Sequence, residues 1–194
     1  MMNPESPAAA VAGVVEALDA MDVPWFLTGS IASSLHGIPR STNDIDVVAL
    51  LPPAAAGDLV RRLGEDYYAD EIMIRDAFRR RRACNVIWLQ TMMKVDLMPP
   101  RFDFDGEAMA RCVRSRLSDG ADGFLPVRVA SAEDVILAKL VWYREGGGVS
   151  ERQLADIRGI IAAQGGRLDR IYLRGWTERL GFADLLAAVD PHPR

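Results

Sequence analysis

The sequence predicts an α+β fold: a mixed sheet flanked by helices, followed by a C-terminal helical part. Three observations carry that reading. Short apolar runs bounded by Pro, Gly and Asn-Asp signals occupy the first two thirds of the chain. Helical segments opened by Ser and closed by Gly fill the last third. The character changes at Ser131, which divides the chain into a core over 1–128 and a helical region over 129–194.

In chain order, residues 8–20 carry Val11, Val14, Val15 and Leu18 on one helical face. Pro24 precedes a strand, Trp25-Phe26-Leu27, and Ser30 to His36 reads as a short helix ended near Gly37 and Pro39. Ile45 to Leu50 is an apolar strand stopped by Pro52-Pro53, and a helix from Ala54 to Leu63 turns Leu59, Val60 and Leu63 inward. Tyr67 to Ile74 is expected as a strand, with a loop or helix from Ile74 to Arg82. Cys84 to Leu89 and Met93 to Met98 form a hairpin about Gln90-Thr91. From Arg101 to Gly123 the chain is polar, with a partly helical piece over Phe104 to Val113, and Pro126 to Val129 is extended. Ser131-Ala-Glu-Asp134 and Ser150-Glu-Arg-Gln153 read as capping boxes opening two long helices. The first ends at Gly146-Gly147-Gly148 and the second at Gly165-Gly166. Leu168 to Leu180 and Phe182 to Val189 complete the helical region.

With 194 residues, 49% apolar and 26% charged, the composition is that of a globular domain with a sizeable core. A net charge of −4 gives no global attraction to nucleic acid, so any such contact needs a local basic patch. The run Arg79-Arg80-Arg81-Arg82 is such a patch: its ordinary role would be a solvated face, and the alternative is a surface beside the cleft that holds the phosphates of an RNA acceptor. Cys84 and Cys112 lack metal-ligand spacing and are expected as reduced thiols. The first twenty residues lack the basic start of a signal peptide, and no apolar run is long enough for a membrane span. The expectation is a cytoplasmic protein with no membrane partner. Only Lys94 and Lys139 are lysines among 23 basic residues, which draws attention to both.

The stretch with most chemistry is Thr28-Gly29-Ser30 followed by Asn43-Asp44-Ile45-Asp46. A Gly-Ser turn at a helix start offers backbone N–H groups and a hydroxyl to phosphate. Strand alternation puts Asp44 and Asp46 on one face, where two hard oxygen donors suit Mg²⁺. Asp96, on a later strand with Lys94 and Met98 on its face, offers a third carboxylate. Lys139 sits in a helix apolar nearly all round, where a lysine either snorkels to the surface or is aimed into a cleft. Arg152 and Asp156, at i, i+4, make an ordinary helical ion pair unless drawn elsewhere. Arg40 either contacts phosphate or shapes its loop, and His36 reads as a packed helix end.

Gly29-Ser30, thirteen residues, Asp44-Ile-Asp46 and then Lys94-Val-Asp96 resemble the nucleotidyltransferase superfamily, whose fold is that of DNA polymerase β. Within it the chain is similar to the bacterial minimal nucleotidyltransferases and the AbiEii-like toxin group. Lys139 matches that group's lysine on a later helix, and Arg152 and Asp156 match the helix after it. The group's last motif reads Arg-x-Lys-Asp-x-x-Asp, whereas Gln153 and Leu154 follow Arg152 here.

The resemblance implies that Asp44, Asp46 and Asp96 hold two Mg²⁺ ions and that Asp96 acts as, or orients, the base. It implies that Gly29, Ser30 and Lys139 hold the triphosphate, with Asp156 as a further nucleotide-site residue; Arg40 joins them as a candidate from its own position before Ser41-Thr42-Asn43. The expected activity is transfer of a nucleoside monophosphate from an NTP to a hydroxyl or phosphate acceptor: tRNA or other RNA, protein, or a small molecule. A toxin with an antitoxin partner is one version. The alternative is a non-catalytic nucleotide- or partner-binding protein that keeps the fold.

Overall fold

The computed structural model describes residues 3, 5–120 and 123–190; the outer limits of the two predicted parts, residues 1 and 194, lie outside them. Within the described residues the chain begins with α1 (Pro7–Asp19), β1 (Trp25–Leu27), α2 (Gly29–His36), β2 (Asp44–Ala49) and α3 (Ala56–Leu63). It continues with β3 (Tyr67–Tyr68), α4 (Glu71–Arg79), β4 (Cys84–Trp88), β5 (Met93–Met98), α5 (Asp105–Arg111), β6 (Val113–Ser118) and β7 (Phe124–Val129). The last third is helical: α6 (Ala132–Glu145), α7 (Glu151–Gln164), α8 (Arg170–Leu180) and α9 (Ala183–Val189).

The strands form one mixed sheet in the order β3-β4-β5-β2-β1-β7-β6. Its two parallel contacts, β2 with β5 and β1 with β7, lie on either side of the antiparallel β1–β2 pair. The central strands are apolar because both of their faces are covered. Trp25, Phe26 and Leu27 are all buried, as are Ile45, Val47 and Ala49. Each fully buried side chain of this size contributes about 1.5–3 kcal/mol. β2 leaves that pattern only at its start, where Asp44 is exposed and Asp46 half-buried.

Several elements start where the side chains supply a cap. Ser6 Oγ accepts from Ala9 N–H and opens α1, with Pro7 at its first position. Ser131 Oγ accepts from Asp134 N–H at 3.2 Å and donates to that residue's carboxylate at 2.6 Å, so Asp serves in the box at Ser131.

Three expectations need correction. The strand over Tyr67 to Ile74 is only two residues long, because Asp70 accepts from Met73 N–H and opens α4 instead. The polar stretch after Arg101 contains β6, an edge strand paired with all of β7; Arg114, Arg116 and Ser118 face outward and Ser115 interrupts the inward face, which together hide the strand signal. Ser150 is the N-cap of α7 but makes no side-chain capping bond, so the second capping box does not form. Gln153, the residue meant to close that box, is instead held by Lys139.

Candidate active site

The site grows from three backbone junctions. Thr28 N–H donates to the Asp46 carbonyl at 2.9 Å, locking the end of β1 to β2 just before the Gly29 turn. Gly29 has φ +61, a left-handed conformation that lets α2 start abruptly there. A Cβ on Gly29 would overlap the Asp46 carboxylate, so only glycine leaves room for that side chain. On the other side, parallel register sets Asp44 beside Lys94 and Asp46 beside Asp96. Asp44, Asp46, Lys94, Asp96 and Met98 share one face of the sheet, opposite the buried Ile45, Val47, Val95 and Leu97.

Burial pushes the Asp46 carboxyl up to about 6; the charges of Asp96 and Asp44 add to this, and Lys139 and the Ser30 N–H oppose it. Burial also raises Asp96, against a hydrogen bond from Asn85 and the charge of Lys94. These carboxylates repel one another in a partly dry place. Among the described residues, no three His, Cys, Asp or Glu side chains are grouped closely enough to hold an ion as they stand. Asp46 is turned onto the Gly29-Ser30 backbone, where its carboxylate caps the start of α2. The donor set nonetheless suits a hard divalent cation: oxygen donors only, from two adjacent strands, with mutual repulsion that a cation would relieve.

Lys139 does not snorkel. It is 4% exposed, and Nζ donates to Asp156 Oδ2 at 2.7 Å and to Gln153 Oε1 at 3.2 Å. Asp156 also receives Arg40 through Nε and Nη2, both at 2.9 Å, so it is held by α6 and the α2–β2 loop rather than by Arg152 on its own helix. Arg40 Nη2 continues to Ser30 Oγ at 2.5 Å. Burial alone would raise the Asp156 carboxyl, but the hydrogen bonds from Arg40 and Lys139 hold it below its usual value. Burial lowers the Lys139 ammonium, and Asp156 works against that shift.

These groups line a cleft of about 370 Å³ between the sheet face and helices α6 and α7. Gly29, Ser30, Arg40, Asp44, Asp46 and Lys139 line one end. Asp96 lies in an adjoining hollow of about 480 Å³. Asp156 does not line the cleft; it stands behind Arg40 and Lys139 and fixes both. Phe102, Trp142 and Arg101 also line the cleft, and Arg101 lies 4.7 Å over the Trp142 ring. Sequence reasoning did not single out these three or Gln153. The Gln153 signal was absorbed by the apparent capping box, while Arg101 directly follows the Pro99-Pro100 strand stop. His36 is a packed helix end, its Nε2 2.7 Å from the Ala130 carbonyl.

No protein-family model and no curated protein matches the chain. Solved structures do. The solution structure of the antibiotic-resistance factor ANT(2'')-Ia superposes with TM-score 0.53 at 17% identity, over 90% of this chain and 93% of that one. ANT(2")-Ia in complex with adenylyl-2"-tobramycin gives 0.52 at 16% identity, over 88% and 96%. The lincosamide antibiotic adenylyltransferase LnuA gives 0.49 at 14%, over 77% and 93%. The likeness to ANT(2'')-Ia is one of fold: the chain has the nucleotidyltransferase fold, and the candidate site lies on it as described above.

Proposed function

We propose that the protein is a Mg²⁺-dependent nucleotidyltransferase that moves a nucleoside monophosphate from an NTP to an acceptor hydroxyl or phosphate. One observation carries the reading: Asp46 and Asp96 stand in register on adjacent strands, beside a Gly-Ser helix start and facing a buried lysine. The enzyme class agrees with the fold.

Asp44, Asp46 and Asp96 would hold the metal. Mg²⁺ held there would supply positive charge against the phosphate oxygens and so lower the barrier to attack at phosphorus. Backbone N–H groups at Gly29 and Ser30 and the Ser30 hydroxyl bind the terminal phosphates, taking the place now occupied by the Asp46 carboxylate. Lys139 and Arg40 supply positive charge from the opposite wall, and Asp156 keeps both at fixed positions. Asp96 accepts the acceptor hydroxyl's proton as its oxygen attacks the α-phosphorus. The bond from that phosphorus to the β-phosphate oxygen breaks, and pyrophosphate leaves.

The test is incubation with each α-labelled NTP, Mg²⁺ and a panel of acceptors: total RNA, cell lysate and aminoglycosides such as tobramycin. Label on an acceptor with equimolar pyrophosphate, reduced at least about a hundredfold in Asp44→Ala and Asp46→Ala, supports the proposal. Nucleotide binding without transfer or pyrophosphate release on any acceptor would sink it. That outcome would support a second reading, a non-catalytic nucleotide-binding protein, which the unconverged carboxylates favour. A toxin role would show as growth arrest on expression that Asp44→Ala abolishes and that a co-expressed antitoxin neutralises.

A further inference from the structure

The hollow around Asp96 has a chemistry of its own. Asp46, Met98, Pro99, Arg101 and Trp142 border both it and the cleft, so the two join beside Asp46. Its far wall is Arg80, Arg81 and Arg82, at and just beyond the C-terminal end of α4. Arg81 has φ +54, a left-handed conformation that is unfavourable for a residue with a side chain. Its guanidinium donates to the Pro100 carbonyl at 2.9 Å, tying the turn to the segment that follows β5. Arg80 shares its charge with Asp76 on a solvated helix face. The Arg82 side chain has no ion pair among the described residues. Thus a turn in an unfavourable backbone conformation holds three consecutive arginines next to the carboxylate assigned to the acceptor.

We propose that the acceptor is the end of a single-stranded nucleic acid, with its backbone phosphates on Arg80, Arg81 and Arg82 and a base stacked on the Arg101–Trp142 platform. This deepens the nucleotidyltransferase reading and rests on it. Guanidinium forks match phosphate oxygens in pairs, whereas an amine-rich acceptor would meet like charge on this wall. Trp142 is 42% exposed and Arg101 stacks on it, which gives a base a π surface at the junction of the two hollows. A free sugar phosphate would use the arginines but leave this platform bare.

The experiment measures binding of a labelled short single-stranded RNA by fluorescence anisotropy across a salt series. Its DNA counterpart and ribose 5-phosphate serve as competitors. Wild type should bind the strand, with log K falling linearly against log salt. Arg80→Glu/Arg82→Glu should weaken binding about tenfold or more and reduce the slope by about 0.7 per lost contact. Arg82→Lys should keep the salt slope, since the charge remains, while losing part of the affinity that the paired fork supplies, and thermal melting verifies that each variant is folded. Lack of saturable strand binding, an unchanged affinity and slope in the double variant, or equal competition by the sugar phosphate would overturn the proposal. The transfer assay separates the two levels. Label on protein or an aminoglycoside, without strand binding, keeps nucleotidyl transfer and overturns this acceptor. Strand binding that needs the arginines, without transfer to any acceptor, overturns the enzyme reading and keeps the docking surface.

Discussion

Asp156 carries two cations on one carboxylate. With 8% of its side chain exposed, it pairs with both Lys139 at 5% and Arg40 at 23%, leaving the trio one net positive charge. Replacing it with Asn leaves a buried ammonium facing another cation, and breaking such a pair is destabilising by roughly 3–5 kcal/mol. Urea unfolding should show that loss for Asp156→Asn. Lys139→Met in the same background should recover part of it, since the orphaned charge is then gone; strict additivity would mean the pair is not coupled. Asp46 predicts a pH dependence of the opposite kind. Its carboxyl rises from 3.8 to about 6 on folding, equivalent to roughly 3 kcal/mol at most. The native state therefore holds this proton more tightly than the unfolded chain. In the metal-free protein the contribution of Asp46 to stability is fully present below about pH 4, is lost as pH rises from 4 to 6, and stays lost above 6, while Asp156, held below its usual value, contributes in the opposite sense toward acid pH. Asp46→Asn should flatten that part of the profile and raise Tm at neutral pH while abolishing transfer. A Tm difference between Asp46→Asn and wild type that does not grow from pH 4 to 6, or a Tm unmoved by the substitution at neutral pH, would contradict this account.

At the scale of elements, what could be read from the sequence was what local chemistry decides. β1, β2 and the β4–β5 hairpin are legible because turn residues bound their apolar runs. α6 is legible because Ser131 caps it as its sequence suggests. Alternation places Asp44 and Asp46 on one face, and Asp96 with Lys94 and Met98 on one face of its own strand, but that these are the same face of the sheet depends on the β2–β5 register. What could not be read depends on contacts between distant segments. Asp156 looks like a partner for Arg152 until α7 packs near Arg40 and Lys139. β6 carries no apolar alternation because it lies at an edge. Gly37 is another such case: it reads as a helix stop, yet it is also the contact that lets α2 approach α7. A Cβ there would lie 2.8 Å from the Ile160 backbone nitrogen. Gly37→Ala should push the helices apart and destabilise by about 1–3 kcal/mol, as overpacking does. The readout is denaturant unfolding with an unchanged m-value; wild-type stability would mean that α2 tolerates the shift.

Across the whole molecule, α2 is the bridge. It packs on β2 from one side and on α6 and α7 from the other, while Arg40 reaches across to Asp156. A nucleotide that engages Gly29 and Ser30 on one wall and Lys139 on the other therefore adds a second tie between the sheet and the helical region. Ligand that binds only the native state adds RT ln(1 + [L]/Kd), about 2.7 kcal/mol at a hundred times Kd. For a chain of this length that corresponds to a rise in Tm of roughly 5–10 °C. Mg²⁺ with the preferred NTP should produce it, while EDTA should remove most of it because the triphosphate then faces Asp44 and Asp46 without a counter-ion. Asp44→Ala should lose the metal-dependent share of the shift. Asp46→Ala should lose it too, while freeing the Ser30 N–H, so a residual metal-independent shift there should match or exceed that of wild type in EDTA. Differential scanning fluorimetry across the four NTPs reads all of this at once and ranks the bases. An equal rise with and without Mg²⁺ in wild type, retained in both variants, would place the triphosphate elsewhere in the molecule.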